Sequence, residues 1–115
     1  MASDADSLPG QQIGFLVGLK AGAQLLREFF PHSPIAVSGA TRAGALRGAE
    51  RLVACGVPAL GSFGLAAGLD PALKPGTILL PDAVVAEGVL YPCTPALRRR
   101  LGGARPGVGR SAAAQ

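Results

Sequence analysis

IGFLVGLKAGAQLLREFF, residues 13–30, is the stretch that decides the fold. Its first six residues, IGFLVG, are continuously apolar, as in a strand buried on both faces of a parallel sheet. KAGAQLLREFF, residues 20–30, then places Leu25, Leu26, Phe29 and Phe30 at helical spacing, and Pro31 and Pro34 stop the helix. The pattern recurs. Residues 35–38 (IAVS) form a second apolar run, and residues 41–55 (TRAGALRGAERLVAC) a second helix with Leu46, Ala49, Leu52 and Val53 on one face. Gly56 stands at its C-terminal cap and Pro58 just beyond. Residues 59–63 (ALGSF) follow as a third run. Two strand-helix-strand units joined by short turns predict right-handed crossovers, an α/β fold with a mostly parallel sheet, and ligand binding at the carboxyl ends of its strands.

Downstream, Lys74-Pro75-Gly76-Thr77 fits a type II turn, with Gly where a positive φ is needed. It introduces apolar runs at residues 77–80 (TILL) and 83–85 (AVV), which Pro81 interrupts, so an edge or a bend is expected there. Thr94 is placed to cap a last short helix, with Pro95 at its first position and Gly102 after its end. The chain thus divides into a flexible leader over residues 1–12, a body over 13–102 and a basic tail without order over 103–115. Residues 1–10 and 104–115 are expected to be mobile, because neither stretch offers apolar surface to offset the entropy of fixing it.

Composition narrows the function classes. Of 115 residues 49% are hydrophobic and the mean hydropathy is +0.37, which argues against overall disorder. With 17 Gly, 10 Pro and 4% aromatic residues, the core must be made of small side chains packed closely. The net charge of +4 is concentrated at one end, where Arg98, Arg99, Arg100, Arg105 and Arg110 meet no acid. Removing those five from the 11 basic residues leaves six against seven acidic over residues 1–97, a net of −1. A solvated tail is therefore expected, and no nucleic-acid groove. Cys55 and Cys93 belong to no metal-binding or redox motif. The start of the chain lacks the features of a signal peptide, no stretch approaches a membrane span, and a cytoplasmic protein is expected.

Two segments are candidates for ligand contact. Ser38, Gly39, Ala40, Thr41 and Arg42 lie where a strand gives way to a helix, so backbone N–H groups, the helix dipole, two hydroxyls and a guanidinium could converge on a phosphate or a ribose. An ordinary helix cap by Ser38 or Thr41, with Arg42 exposed, explains the same residues. Gly64, Leu65, Ala66, Ala67 and Gly68 follow a strand and let a ligand approach the backbone, or simply form a tight turn. They lack the dinucleotide-binding fingerprint. ARPGVGRS near the end lacks the first Gly and the Lys of a phosphate-binding loop. His32 sits between prolines, and Lys20, Asp70, Asp82 and Glu87 show no partner by spacing. No catalytic residue, metal site or cofactor is expected.

GFLVGLKAGAQLLR, SGATRAGA and SFGLAAGLDPALKPGTILLPDAVV, taken together over residues 13–101, resemble the nucleoside phosphorylase superfamily. The likeness is to its hopanoid-associated phosphorylases and, more distantly, its methylthioadenosine/S-adenosylhomocysteine nucleosidases. It implies a three-layer phosphorylase/hydrolase-like α/β/α fold, here only its amino-terminal half, that cleaves the N-glycosidic bond of a purine nucleoside with inorganic phosphate or water. In the hopanoid branch the substrate would be an adenosyl-hopane. The resemblance puts sugar and nucleophile contacts at Ser38, Gly39, Thr41 and Arg42 and at the loop from Gly64 to Gly68. Gly22 stands where the nucleosidases carry a water-handling Glu, Ala67 replaces a family glycine, and the family's ribose-binding Glu and base-protonating Asp belong to a second half. A non-catalytic nucleoside-binding or packing remnant is the alternative, and a homo-oligomer is possible in either case. If both crossovers add strands in one direction, their helices share one face of the sheet. Apolar residues such as Ile13, Phe15, Val37 and Leu60 are then expected on a bare face, and the isolated chain is expected to be marginal or self-associating.

Overall fold

A computed structural model describes residues 13–101 and the backbone of 108–109 and 112–114. These fall into two compact units, one within Leu8–Ala66 and the other within Ala67–Gln115. The division differs from a single body over 13–102. It falls in residues 64–69, an exposed stretch with no regular structure.

The first unit is a parallel α/β unit of β1 (Ile13–Val17), α1 (Lys20–Phe29), β2 (Ile35–Val37), α2 (Arg42–Ala54) and β3 (Ala59–Phe63). β1 is the middle strand of the order β2-β1-β3 and pairs in parallel on both sides, with Val17 opposite Val37 and opposite Phe63. That position explains its uninterrupted apolar run: Ile13, Phe15 and Val17 are all buried. Pro31 and Pro34 end α1 as expected, and the Pro34 carbonyl accepts from the Phe15 amide at 2.9 Å, starting the β1–β2 pairing. Gly56, at φ +80°, closes α2 in the left-handed conformation.

Strand order overturns the bare-face expectation. The chain leaves β1 for β2 on one side, then crosses back past β1 to β3 on the other, so two crossovers of the same hand put the helices on opposite faces. The packing agrees. On the odd-numbered face of β1, a Cβ built on Gly22 of α1 would lie 3.8 Å from Val17, and the Phe15 ring meets that of Phe30, tilted by 43°, at 4.9 Å between centroids. On the other face, a Cβ on Gly14 would lie 3.2 Å from Leu52, and one on Gly48 of α2 would lie 2.6 Å from Leu16. The unit therefore has three layers at β1. Ile13 and Phe15 are buried, while Val37 and Leu60 are exposed only because they lie on the two edge strands.

Helix faces also depart from simple periodicity. In α1 Ala23 and Leu26 are buried while Leu25 and Phe29 are exposed, and in α2 the buried set is Gly44, Gly48 and Leu52, leaving Leu46 and Val53 in solvent. Glycines at four-residue spacing let α2 approach the sheet closely. That contact rotates its larger residues outward.

The second unit contains β4 (Ile78–Leu79), β5 (Ala83–Ala86), β6 (Val89–Pro92), α3 (Pro95–Arg100), β7 (Val108–Gly109) and β8 (Ala112–Ala114). The turn at Lys74 forms as read: the Thr77 amide donates to the Lys74 carbonyl at 3.1 Å, and Gly76 has φ +88°. An antiparallel β5–β6 hairpin turns at Glu87 and Gly88, both with positive φ. β6 was not legible beforehand, since Glu-Gly is a weaker turn signal than Asn-Gly. Thr94 occupies the α3 cap position but makes no side-chain cap bond. Arg98 is no part of a solvated tail. Its side chain is 16% exposed, pairs with Asp82 at 3.0 Å and donates to the Leu80 carbonyl at 3.0 Å, tying α3 to the β4–β5 connection. Within the stretch read as a tail without order, β7 pairs with β4 and β8 with β5, both in parallel. The leader, and the rest of residues 103–115, lie outside the described residues.

Candidate functional site

The carboxyl ends of the three strands of the first unit lead into the candidates Ser38 to Arg42 and Gly64 to Ala66. β2 leads into Ser38, whose amide donates to the Val17 carbonyl at 2.8 Å, so this loop begins beside the end of β1. Gly39 and Ala40 both take left-handed φ, of 70° and 62°, and fold the loop back. A Cβ on Gly18 would lie 3.9 Å from that of Ala40, so the loops after β1 and β2 touch.

The two hydroxyls are engaged within the loop. Ser38 Oγ accepts from the Ala40 amide at 3.1 Å. Thr41 is the N-cap of α2: its Oγ1 accepts from the Gly44 amide at 3.0 Å and donates to the Ser38 carbonyl at 3.3 Å. Arg42 is exposed at the first position of α2. The choice of cap left open by the sequence therefore resolves to Thr41, while Ser38 shapes the turn before it. Thr41→Ala should cost about 1 kcal/mol, the usual worth of an N-cap side chain. Urea unfolding measures it, and a loss below a few tenths would show that the cap bond carries nothing.

Gly64, Leu65 and Ala66 continue beyond β3 within the first unit, and Leu65 is fully exposed. Ala67 and Gly68 belong to the second unit, where a Cβ on Gly68 would lie 3.5 Å from Leu73. A Cβ on Gly64 would meet nothing within 4 Å, so tight packing does not account for that glycine. Ser38 and Gly64 follow strands on either side of β1, which sets them about 10 Å apart, two strand spacings.

Sequence reasoning missed the loop between those segments, Gly18, Leu19 and Lys20. In a sheet of order 2-1-3 the crevice opens at the switch point between β1 and β3, where the chain departs in opposite directions. This loop lies there. It leads into α1, whose first turn has no side-chain cap and no acidic residue. The acids are confined in the same sense, while bases occur at both ends, Arg27 and Arg51 lying beside the acids in the last turns of the two helices. Within the described part of the first unit the acids are Glu28 and Glu50, in the later halves of α1 and α2, whereas Lys20 and Arg42 begin those helices. Among the described residues of the first unit, the carboxyl end of the sheet thus carries two cations and two helix N-termini and no carboxylate, a combination that favours an anion. Among the described residues no group of His, Cys, Asp or Glu could hold a metal ion, and no helix is long and apolar enough to cross a membrane.

Fold and site together define an open parallel α/β unit with a basic carboxyl end. No family model, curated protein or solved structure matches the chain.

Proposed function

We propose that this chain binds a purine nucleoside together with inorganic phosphate at the carboxyl ends of β1, β2 and β3, as part of a nucleoside phosphorylase-type protein that cleaves N-glycosidic bonds. The observation that carries the reading is the presence of Lys20 and Arg42, at the starts of α1 and α2, at the end of the sheet where its strand order opens a crevice. Further support comes from the resemblance of GFLVGLKAGAQLLR and SGATRAGA to that superfamily. Phosphate would sit against the N-terminal turn of α1 or α2. The sugar would lie across the end of β1, between the loops that begin at Ser38 and Gly64.

Leaving-base departure needs an acid to protonate it, and the described acids of the first unit lie away from this end. Binding is therefore the activity proposed for these residues, and none of the described acids of the first unit is assigned the protonation of the base.

Calorimetric titration with phosphate and with adenosine tests both parts. Phosphate should bind, and Lys20→Ala or Arg42→Ala should each weaken it about 10-fold, the effect of losing one charge-assisted contact. No adenine should be released above the buffer rate. Phosphate binding that is absent, or indifferent to both substitutions, sinks the site. Adenine release abolished by Arg42→Ala would show instead that the chain is a complete enzyme.

A further inference from the structure

The strand edges of this protein are not equally protected. β2 is three residues long and follows Pro34, and β6 ends in Pro92, which has no amide to offer. β3 has five residues, no proline and no charge, and its outer edge is unpaired among the described residues. No charged residue occurs anywhere between Arg51 and Asp70. Both faces of β3 show apolar side chains at this edge, Leu60 at 46% exposure on one and Phe63 at 40% on the other. A long, neutral, apolar edge of this kind is a template for another strand.

The residue order of β3 indicates which strand fits. We propose that β3 pairs antiparallel with β3 of a second copy of this chain, about a two-fold axis through Gly61, joining two three-stranded sheets into one of six. In that register Leu60 faces Ser62 of the second copy, Ala59 faces its Phe63, and the axis passes between two glycines. Every large side chain then meets a small one on the same face, the complementary pairing that favours this register. The neutrality of the strand and its flanks removes the like-charge repulsion that ordinarily keeps identical edges apart. The interface is isologous and closes at two copies.

Sedimentation equilibrium of the full chain should give twice the monomer mass at micromolar to tens-of-micromolar concentration. The double variant Leu60→Lys, Ser62→Lys sets like charges opposite each other across the axis and should be monomeric, with helix and strand content by circular dichroism unchanged. Leu60→Glu with Ser62→Lys sets opposite charges in the same two positions and should restore the dimer. A monomeric native chain overturns the proposal, as does a dimer that persists in the double-lysine variant or a failure of the Glu/Lys pair to restore it. Larger open assemblies would also overturn it, since they require a contact that does not close. A double-lysine variant that unfolds is set aside for Ser62→Lys alone, which should weaken the dimer by burying a charge against Leu60, and an unchanged association constant there overturns the register.

Discussion

Phe15→Ala is expected to destabilise the protein by about 3–5 kcal/mol, the range for removing a buried aromatic ring from a core. Phe15 lies in the middle of the central strand and is buried. Its ring contacts Phe30 just beyond α1, and a Cβ on Gly61 of β3 would approach it to 3.2 Å, so one ring fills the space where a strand, a helix end and an edge strand meet. Gly61, on the neighbouring strand, has no side chain with which to fill the cavity. A small domain has about 5–15 kcal/mol of stability in total, and Phe15→Ala would consume much of it. Urea unfolding followed by circular dichroism gives the value. Phe29→Ala is the control: Phe29 is 70% exposed and should change stability by less than about 1 kcal/mol. Equal effects at the two positions would contradict the burial of Phe15.

Gly44→Ala should be nearly as damaging, at about 3 kcal/mol, for the opposite reason. Gly44 is buried in the first turn of α2, and a Cβ there would overlap the Ser38 carbonyl and come within 2.7 Å of Thr41 Oγ1. Backbone cannot move aside as a flexible side chain can. The added methyl must therefore break the Thr41 cap, shift the loop from Ser38 to Thr41, or push α2 off the sheet. Each outcome disturbs the proposed phosphate site, so binding should be lost along with stability. Gly22→Ala provides the contrast. The nearest neighbours of a Cβ at Gly22 are Val17 and Phe63 at ordinary contact distance, 3.8 and 3.9 Å. That substitution should be neutral or stabilising by up to about 1 kcal/mol, the difference in helix propensity. Unfolding midpoints of the two variants decide the matter, and a Gly44→Ala protein as stable as Gly22→Ala would mean that α2 does not pack as described.

How far the candidate site could be read in advance follows from the same residues. Ser38, Gly39, Thr41 and Arg42 were recognisable because a strand ending in Ser-Gly before a helix is a local pattern. Lys20 was not, because its relevance depends on which strands flank β1. The loop from Gly64 to Gly68 reads as one motif in the sequence, yet its first three residues and its last two belong to different units.

The sequence by itself determined the elements of the first unit to within a residue or two, along with the two helix stops and the turn at Lys74. These depend on short-range causes: apolar runs, prolines that cannot continue a helix, and glycines where φ must be positive. Only the tertiary structure decided that β3 lies on the far side of β1 from β2, that the two helices consequently cover opposite faces, that Gly44 and Gly48 form the buried face of α2 in place of Leu46 and Val53, and that Arg98 reaches back to Asp82. Each of these depends on which partner is nearest in space. Local patterns specify that a surface needs covering, and only the crossing of the chain past β1 determines what covers it.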